Sequence, residues 1–214
     1  MDIRISNVKY SYTTGFTLDI DDFCPGAFTA IMGDNGSGKT TLGKILAGII
    51  RPDTGCVLYN GEDIASWPLG KIGRHVGYLF QDPSRQLFAP TPLEEIAFPL
   101  ELRGVSKAEA QEVALSLLSD FQLEHIKDSS TYTLSRGEKQ RLAIGAVLSC
   151  DPKYLVLDEP TTGLDSQRKN ILAATLRRLR SEGIGMLLIT HDQDFVEELG
   201  ANTCLMEGGR LINA

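Results

Sequence analysis

The stretch Gly33-Asp34-Asn35-Gly36-Ser37-Gly38-Lys39-Thr40 has the form G-x-x-x-x-G-K-[ST] and follows directly on the apolar run Phe28-Thr29-Ala30-Ile31-Met32. Beyond it, Leu42, Ile45, Leu46 and Ile49 recur at helical spacing. Strand, glycine loop and helix in that order leave little freedom of fold. The glycines let backbone N–H groups converge on anionic oxygens at a helix N-terminus, which works only if strand and helix pack together. In such a loop Lys39 brings a point charge to the β- and γ-phosphates of a nucleotide, and Thr40 brings a hydroxyl to Mg²⁺.

Two further apolar runs end in residues able to do chemistry. Tyr154-Leu155-Val156-Leu157 runs into Asp158 and Glu159, and Met186-Leu187-Leu188-Ile189-Thr190 runs into His191. Continuous apolar strands alternating with helical patterns predict a parallel sheet covered on both faces. Ligands of such sheets sit at the carboxyl ends of the strands, where Asp158, Glu159 and His191 all fall. Successive strand side chains point to opposite faces, so the two carboxylates are expected to divide their work. Asp158 suits the Mg²⁺ shell, and Glu159 suits a general base on the attacking water.

Elsewhere the pattern is plainer. Ile3–Val8 alternates apolar and polar residues, as a half-buried edge strand does. From Pro92 to Cys150 the chain reads as helical, with Ser106-Lys107-Ala108-Glu109 a capping box ahead of Ala110, Val113, Leu117 and Leu118. Arg177, Arg178 and Arg180 close the helix after Asp165, where cations complement the helix dipole. No internal repeat or low-complexity linker is evident.

A net charge of -7 over 214 residues argues against a general nucleic-acid binder, which needs a basic face. Cys24, Cys56, Cys150 and Cys204 have neither C-x-x-C nor metal-ligand spacing and read as free thiols of a reducing compartment. No apolar run approaches the roughly 18 residues of a membrane span, and the acidic start is no signal peptide. If the chain works at a membrane, another chain must supply the spans.

Taken in order, these motifs resemble the ATP-binding subunit of an ABC transporter, over nearly the whole chain. The resemblance implies an α/β fold: a P-loop NTPase core of mostly parallel sheet flanked by helices, with an N-terminal antiparallel β subdomain and an inserted helical subdomain. Residues 1–90 and 151–214 would form the core and β subdomain, and about 91–150 the helical one, within a single ATPase domain. Tyr12 corresponds to the aromatic that stacks on adenine, and Gly33, Asp34, Asn35, Gly36, Ser37, Gly38, Lys39, Thr40 and Thr41 to the Walker A loop. Gln81 matches the Q-loop glutamine, which reaches Mg²⁺ and water. Asp158 and Glu159 match the Walker B aspartate and catalytic glutamate, Asp165 the D-loop, and His191 the switch histidine. Leu134–Glu138 stands where the family has its LSGGQ signature, with Ser135 and Gly137 at the positions that contact the γ-phosphate of a second subunit's ATP. The resemblance therefore implies ATP and Mg²⁺ as cofactors, hydrolysis of ATP, and two subunits packed head to tail. The second subunit is either another copy or a paralogue.

The stretch Gly77–Phe98 narrows the resemblance to the energy-coupling-factor group, which drives uptake of vitamins, cobalt or nickel. There a second glutamine, here Gln86, lines the groove for a transmembrane subunit, so that partner is expected near Gln81–Phe88, with the chain peripheral at the cytoplasmic face of the membrane. Two departures stand out. Arg136 and Glu138 replace the usual Gly and Gln, although Ser135-x-x-Glu138 is itself a capping box, so Glu138→Gln is expected to raise or barely change turnover. The given sequence ends at Ala214, short of the group's dimer-holding extension, so dimerisation without nucleotide is expected to rely on the membrane subunit. The competing readings are a soluble ABC ATPase, another transporter class, and a metabolite kinase. The last explains Lys39 but not Ser135, Gly137 and His191.

Overall fold

The computed structural model describes residues 1–212. Among the described residues, ten strands and seven helices follow one another. They are β1 (Ile3–Ser11), β2 (Thr17–Ile20), β3 (Phe28–Met32), α1 (Lys39–Leu46), β4 (Thr54–Tyr59), β5 (Glu62–Asp63), α2 (Leu69–Ile72), β6 (Val76–Leu79) and α3 (Pro92–Leu102). There follow α4 (Lys107–Asp120), α5 (Arg136–Ser149), β7 (Tyr154–Asp158), α6 (Ser166–Ser181), β8 (Gly185–Ile189), α7 (Gln193–Leu199), β9 (Asn202–Glu207) and β10 (Arg210–Ile212).

Two sheets form. One has six strands in the order β10-β9-β3-β8-β7-β6, parallel from β9 to β6 and closed by the antiparallel β9–β10 hairpin. The other is antiparallel, in the order β2-β1-β4-β5. The continuous apolar strands are buried on both faces because alternate residues feed two cores. Ala30, Leu155, Leu157, Met186 and Leu188 face a cluster built with α3 to α7. Ile31, Val156, Leu187 and Ile189 face α1 and the antiparallel sheet through Leu42, Ile45, Leu46, Ile5 and Val57. Each fully buried aliphatic side chain contributes about 1.5–3 kcal/mol, so α1 is fixed from both sides, and with it the loop that starts it. The α/β architecture and parallel central sheet expected from the apolar runs are those observed.

Local differences have physical causes. β1 is not an edge strand: β2 and β4 flank it, and its alternation records one wet face. Ile49 lies beyond the end of α1 and beyond Gly48, whose φ of 66° ends the helix, and it is exposed. On α4 the buried stripe is Ala110, Ala114 and Leu118, with Leu117 partly buried and Val113 exposed. The Ser106 hydroxyl accepts from Glu109 N–H at 3.3 Å, as the cap pattern required. Arg177 and Arg178 pair with Glu198 and Asp120, while Arg180 reaches the Leu199 carbonyl and lies over the Phe28 ring, so they join elements as well as meeting the dipole.

Candidate functional site

The glycine loop leaves β3 and opens α1 at Lys39. Gly33 has a φ of 145°, and a Cβ there would stand 2.1 Å from the Met206 carbonyl oxygen of β9. Backbone strain and a clash with backbone both follow, so Gly33→Ala is expected to cost roughly 2 kcal/mol or more, read as a lowered denaturant midpoint. Lys39 is 7% exposed, and its Nζ donates to the Gly33 and Asp34 carbonyls at 2.7 and 2.8 Å. Among the described residues, Ser37 Oγ is buried without a partner. A buried cation and an orphaned hydroxyl in a glycine loop fit an incoming phosphate, which supplies the missing acceptor.

The loop floors a cavity of about 580 Å³, lined also by Tyr12, Thr41, Gln81, Asp158 and Glu159. Tyr12 is neither core nor free surface. At 37% exposure it stands at the cavity mouth, its hydroxyl 3.3 Å from Thr41 Oγ1 and its ring edge-on to Tyr10. Phe16 lines the same mouth, 6.3 Å from Tyr12, and did not stand out in the sequence.

Asp158 ends β7 at 1% exposure. Thr40 Oγ1 donates to one carboxylate oxygen at 3.1 Å and Tyr78 Oη to the other at 3.0 Å. Burial pushes the Asp158 carboxyl above its ordinary range, while the two hydroxyls work to hold it down. A buried carboxylate of this kind favours a cation beside it. Among the described residues no group of three His, Cys, Asp or Glu side chains could hold a metal alone. Thr40 and Asp158 suit Mg²⁺, which keeps waters and takes phosphate oxygens in addition to one or two protein ligands. Tyr78 was legible only as a strand residue, yet a buried phenol needs a partner, and burial followed by the Asp158 charge drives its pKa far up.

Glu159 departs from the strand-alternation argument. It sits past the end of β7 with φ 51°, so a backbone turn separates it from Asp158 and the pleat does not. The carboxylate is buried, with His191 Nδ1 at 3.0 Å from Oε1 and 2.9 Å from Oε2, and Thr190 Oγ1 at 3.5 Å. The next residue, Asp192, caps α7 and pairs with Lys169 of α6, tying the His191 turn to that helix.

Ser135, Gly137 and Asp165 do not line this cavity. Ser135 caps α5 in a complete capping box with Glu138. Asp165 caps α6, accepting from Arg168 N–H at 2.8 Å and pairing with the Arg168 side chain. A Cβ on Gly137 would meet Arg168 at 3.6 Å. Gln81 is exposed between the main cavity and a second of about 540 Å³ that Arg136 and Lys139 of α5 also line.

Gln86 is half-buried, and its side-chain amide is spent on backbone. It follows the short 3-10 turn Pro83–Arg85, accepts from Phe80 N–H and donates to the Tyr78 carbonyl, both at 3.2 Å, as an added strand would. The reason is the end of β6, whose backbone groups need partners. Leu87 is partly buried and Phe88 is exposed at 58%, edge-on to Phe98. Glu95 of α3, 2% exposed, accepts from the N–H groups of Phe88 and Ala89 at 2.9 and 2.6 Å and fixes this loop to the helices.

A glycine loop at the end of a central parallel strand, with a carboxylate at the end of the neighbouring β7–β8 pair, defines a P-loop nucleoside triphosphatase. The ABC transporter family matches residues 21–162, and the chain belongs to it. A putative ABC transporter ATP-binding protein of Caldanaerobacter subterraneus is 36% identical over 98% of this chain, which spans only 37% of that protein's length. The energy-coupling factor transporter ATP-binding protein EcfA2 of Streptococcus thermophilus is 38% identical over 99% of this chain and 80% of its own. Among solved structures, cbiO1 of Clostridium perfringens, described as part of the ABC transporter complex cbiONQ, superposes with TM-score 0.80 at 33% identity, covering 98% of this chain and 86% of its own. The dimeric post-hydrolysis cassette MJ0796 bound to ADP and Pi has TM-score 0.86 at 25% identity, covering 98% and 96%.

Proposed function

We propose that this subunit powers an importer of energy-coupling-factor type by closing, on ATP, against a second ATPase subunit. The observation that carries the pairing is the separation within one chain. Lys39, Asp158 and Glu159 share a cavity that Ser135, Gly137 and Asp165 do not reach, so a second subunit's signature is needed to cover the triphosphate. The EcfA2 relatives, matched along 99% of the chain, support the importer class.

In this reading the loop N–H groups and Lys39 hold the β- and γ-phosphates, Ser37 gains its missing partner, and Tyr12 packs against the base. Thr40, Asp158 and Gln81, which line the same cavity, would hold Mg²⁺ and its water, and the ion would neutralise developing phosphate charge. Glu159 accepts the proton of the attacking water, and His191, bonded to that carboxylate, keeps it oriented and senses the γ-phosphate. Residues about 91–150 act as the moving helical subdomain. Phe88 and Phe98 offer an apolar patch to a transmembrane subunit at the Gln81–Phe88 loop. No helix among the described residues is long and apolar enough to cross a membrane. In this reading the transmembrane subunit supplies the spans, with this chain peripheral on its cytoplasmic face. The Arg177–Arg180 cluster is already engaged and gives nucleic acid no basic face.

Affinity purification from native membranes tests the importer reading. A polytopic protein should co-purify, and Phe88→Asp should release it without loss of fold. Phosphorylation of a small acceptor instead would favour a kinase. Tyr78→Phe removes one of the two hydroxyl donors to Asp158, and is expected to raise the Mg²⁺ concentration needed for half-maximal ATP binding by about 3- to 10-fold, read by equilibrium titration.

A further inference from the structure

We propose that Glu138 restrains the signature by holding the one proton that the Ser135 hydroxyl has to give. The inference rests on the reading above in which Ser135 meets a second subunit's γ-phosphate. Ser135 is exposed at the head of α5, yet its hydroxyl is committed. It accepts from Glu138 N–H at 3.4 Å and donates to Glu138 Oε2 at 2.7 Å, and the same carboxylate oxygen also takes the Ser135 N–H at 2.8 Å. A hydroxyl has one proton, and phosphate oxygens accept hydrogen bonds, so Ser135 serves a phosphate only after leaving Glu138.

The carboxylate is a strong competitor. Hydrogen bonds to an ionised acceptor are roughly twice as strong as those to a neutral one. The Ser135 hydroxyl, then the Ser135 N–H, hold the Glu138 carboxyl below its ordinary range, against a smaller contribution from burial, so it stays anionic at neutral pH. A glutamine would keep the cap through its amide oxygen but yield the hydroxyl to the more charged phosphate. Glu138 is thus a positioning residue that makes closure of the pair demand more ATP, and it leaves the chain's own cavity untouched, since it does not line it.

The test is the ATP concentration at half-maximal dimerisation, measured by light scattering in a non-hydrolysing Glu159→Gln chain. Glu138→Gln is expected to lower it by about 5-fold, with ATP affinity of the isolated monomer unchanged. In a Ser135→Gly background, where glycine is a tolerated N-cap, Glu138→Gln should have no effect. A full effect there would show that Glu138 acts by charge repulsion alone and would overturn the proposal. So would an unchanged midpoint in the Ser135 chain, while the paired-subunit reading stood. Absence of any dimer at saturating MgATP, with the fold intact by circular dichroism, would remove that reading and this inference with it.

Discussion

Lys39→Ala is expected to weaken ATP binding by at least about 10-fold and turnover by roughly 10²- to 10³-fold, measured by nucleotide titration and phosphate release. The Nζ is buried and satisfied by two loop carbonyls, so it is preorganised beside the cavity. In the proposed function, its removal deletes the cation that would meet the triphosphate. It also strips the Gly33 and Asp34 carbonyls of their donor, at about 1–3 kcal/mol each if no water replaces it. The fold should survive, because α1 is held by Leu42, Ile45 and Leu46 between the two sheets. Lys39→Arg should not rescue, since a planar fork does not reproduce a point charge in so closed a loop.

Glu159→Gln is expected to reduce hydrolysis by about 10²-fold or more while ATP binding persists. The amide keeps the shape of the carboxylate and a bond to His191 but cannot take a proton from water. The φ of 51° and the bond from Glu159 N–H to the Ile189 carbonyl at 2.8 Å are properties of the backbone and should persist. The substitution therefore separates binding from chemistry, and the ATP-loaded pair should accumulate. His191→Ala should lower turnover less, because the imidazole touches Glu159 from an exposed position and, in the proposed function, only orients it.

The parts of the fold that were legible in the sequence are those where one physical demand acts alone. Apolar runs at β3, β7 and β8 must be buried on both faces, and the glycine loop must join strand to helix, so the parallel core could be read directly. The capping box at Ser135 could be read for the same reason, since four residues close its hydrogen bonds locally. Long-range pairing was not legible. The alternation in β1 reports which face is wet and says nothing of how many neighbours the strand has. Gln86 reads equally as a surface or groove residue until the open backbone at the end of β6 shows what it serves. Tyr78 reads as core until Asp158, 80 residues away, is found at its hydroxyl. At Asp158 and Glu159 the pattern identified the pair, but the turn that divides them lies in a positive φ that no periodicity reveals.

The central claim is that one subunit's signature completes another's ATP site, and it is tested most directly by the ATPase rate per chain against protein concentration. With MgATP saturating, the rate per chain should climb as dimers form, and a Glu159→Gln chain should sediment as a dimer with MgATP and as a monomer without it. A rate per chain that stays constant with dilution, in a protein sedimenting throughout as a monomer, would contradict it.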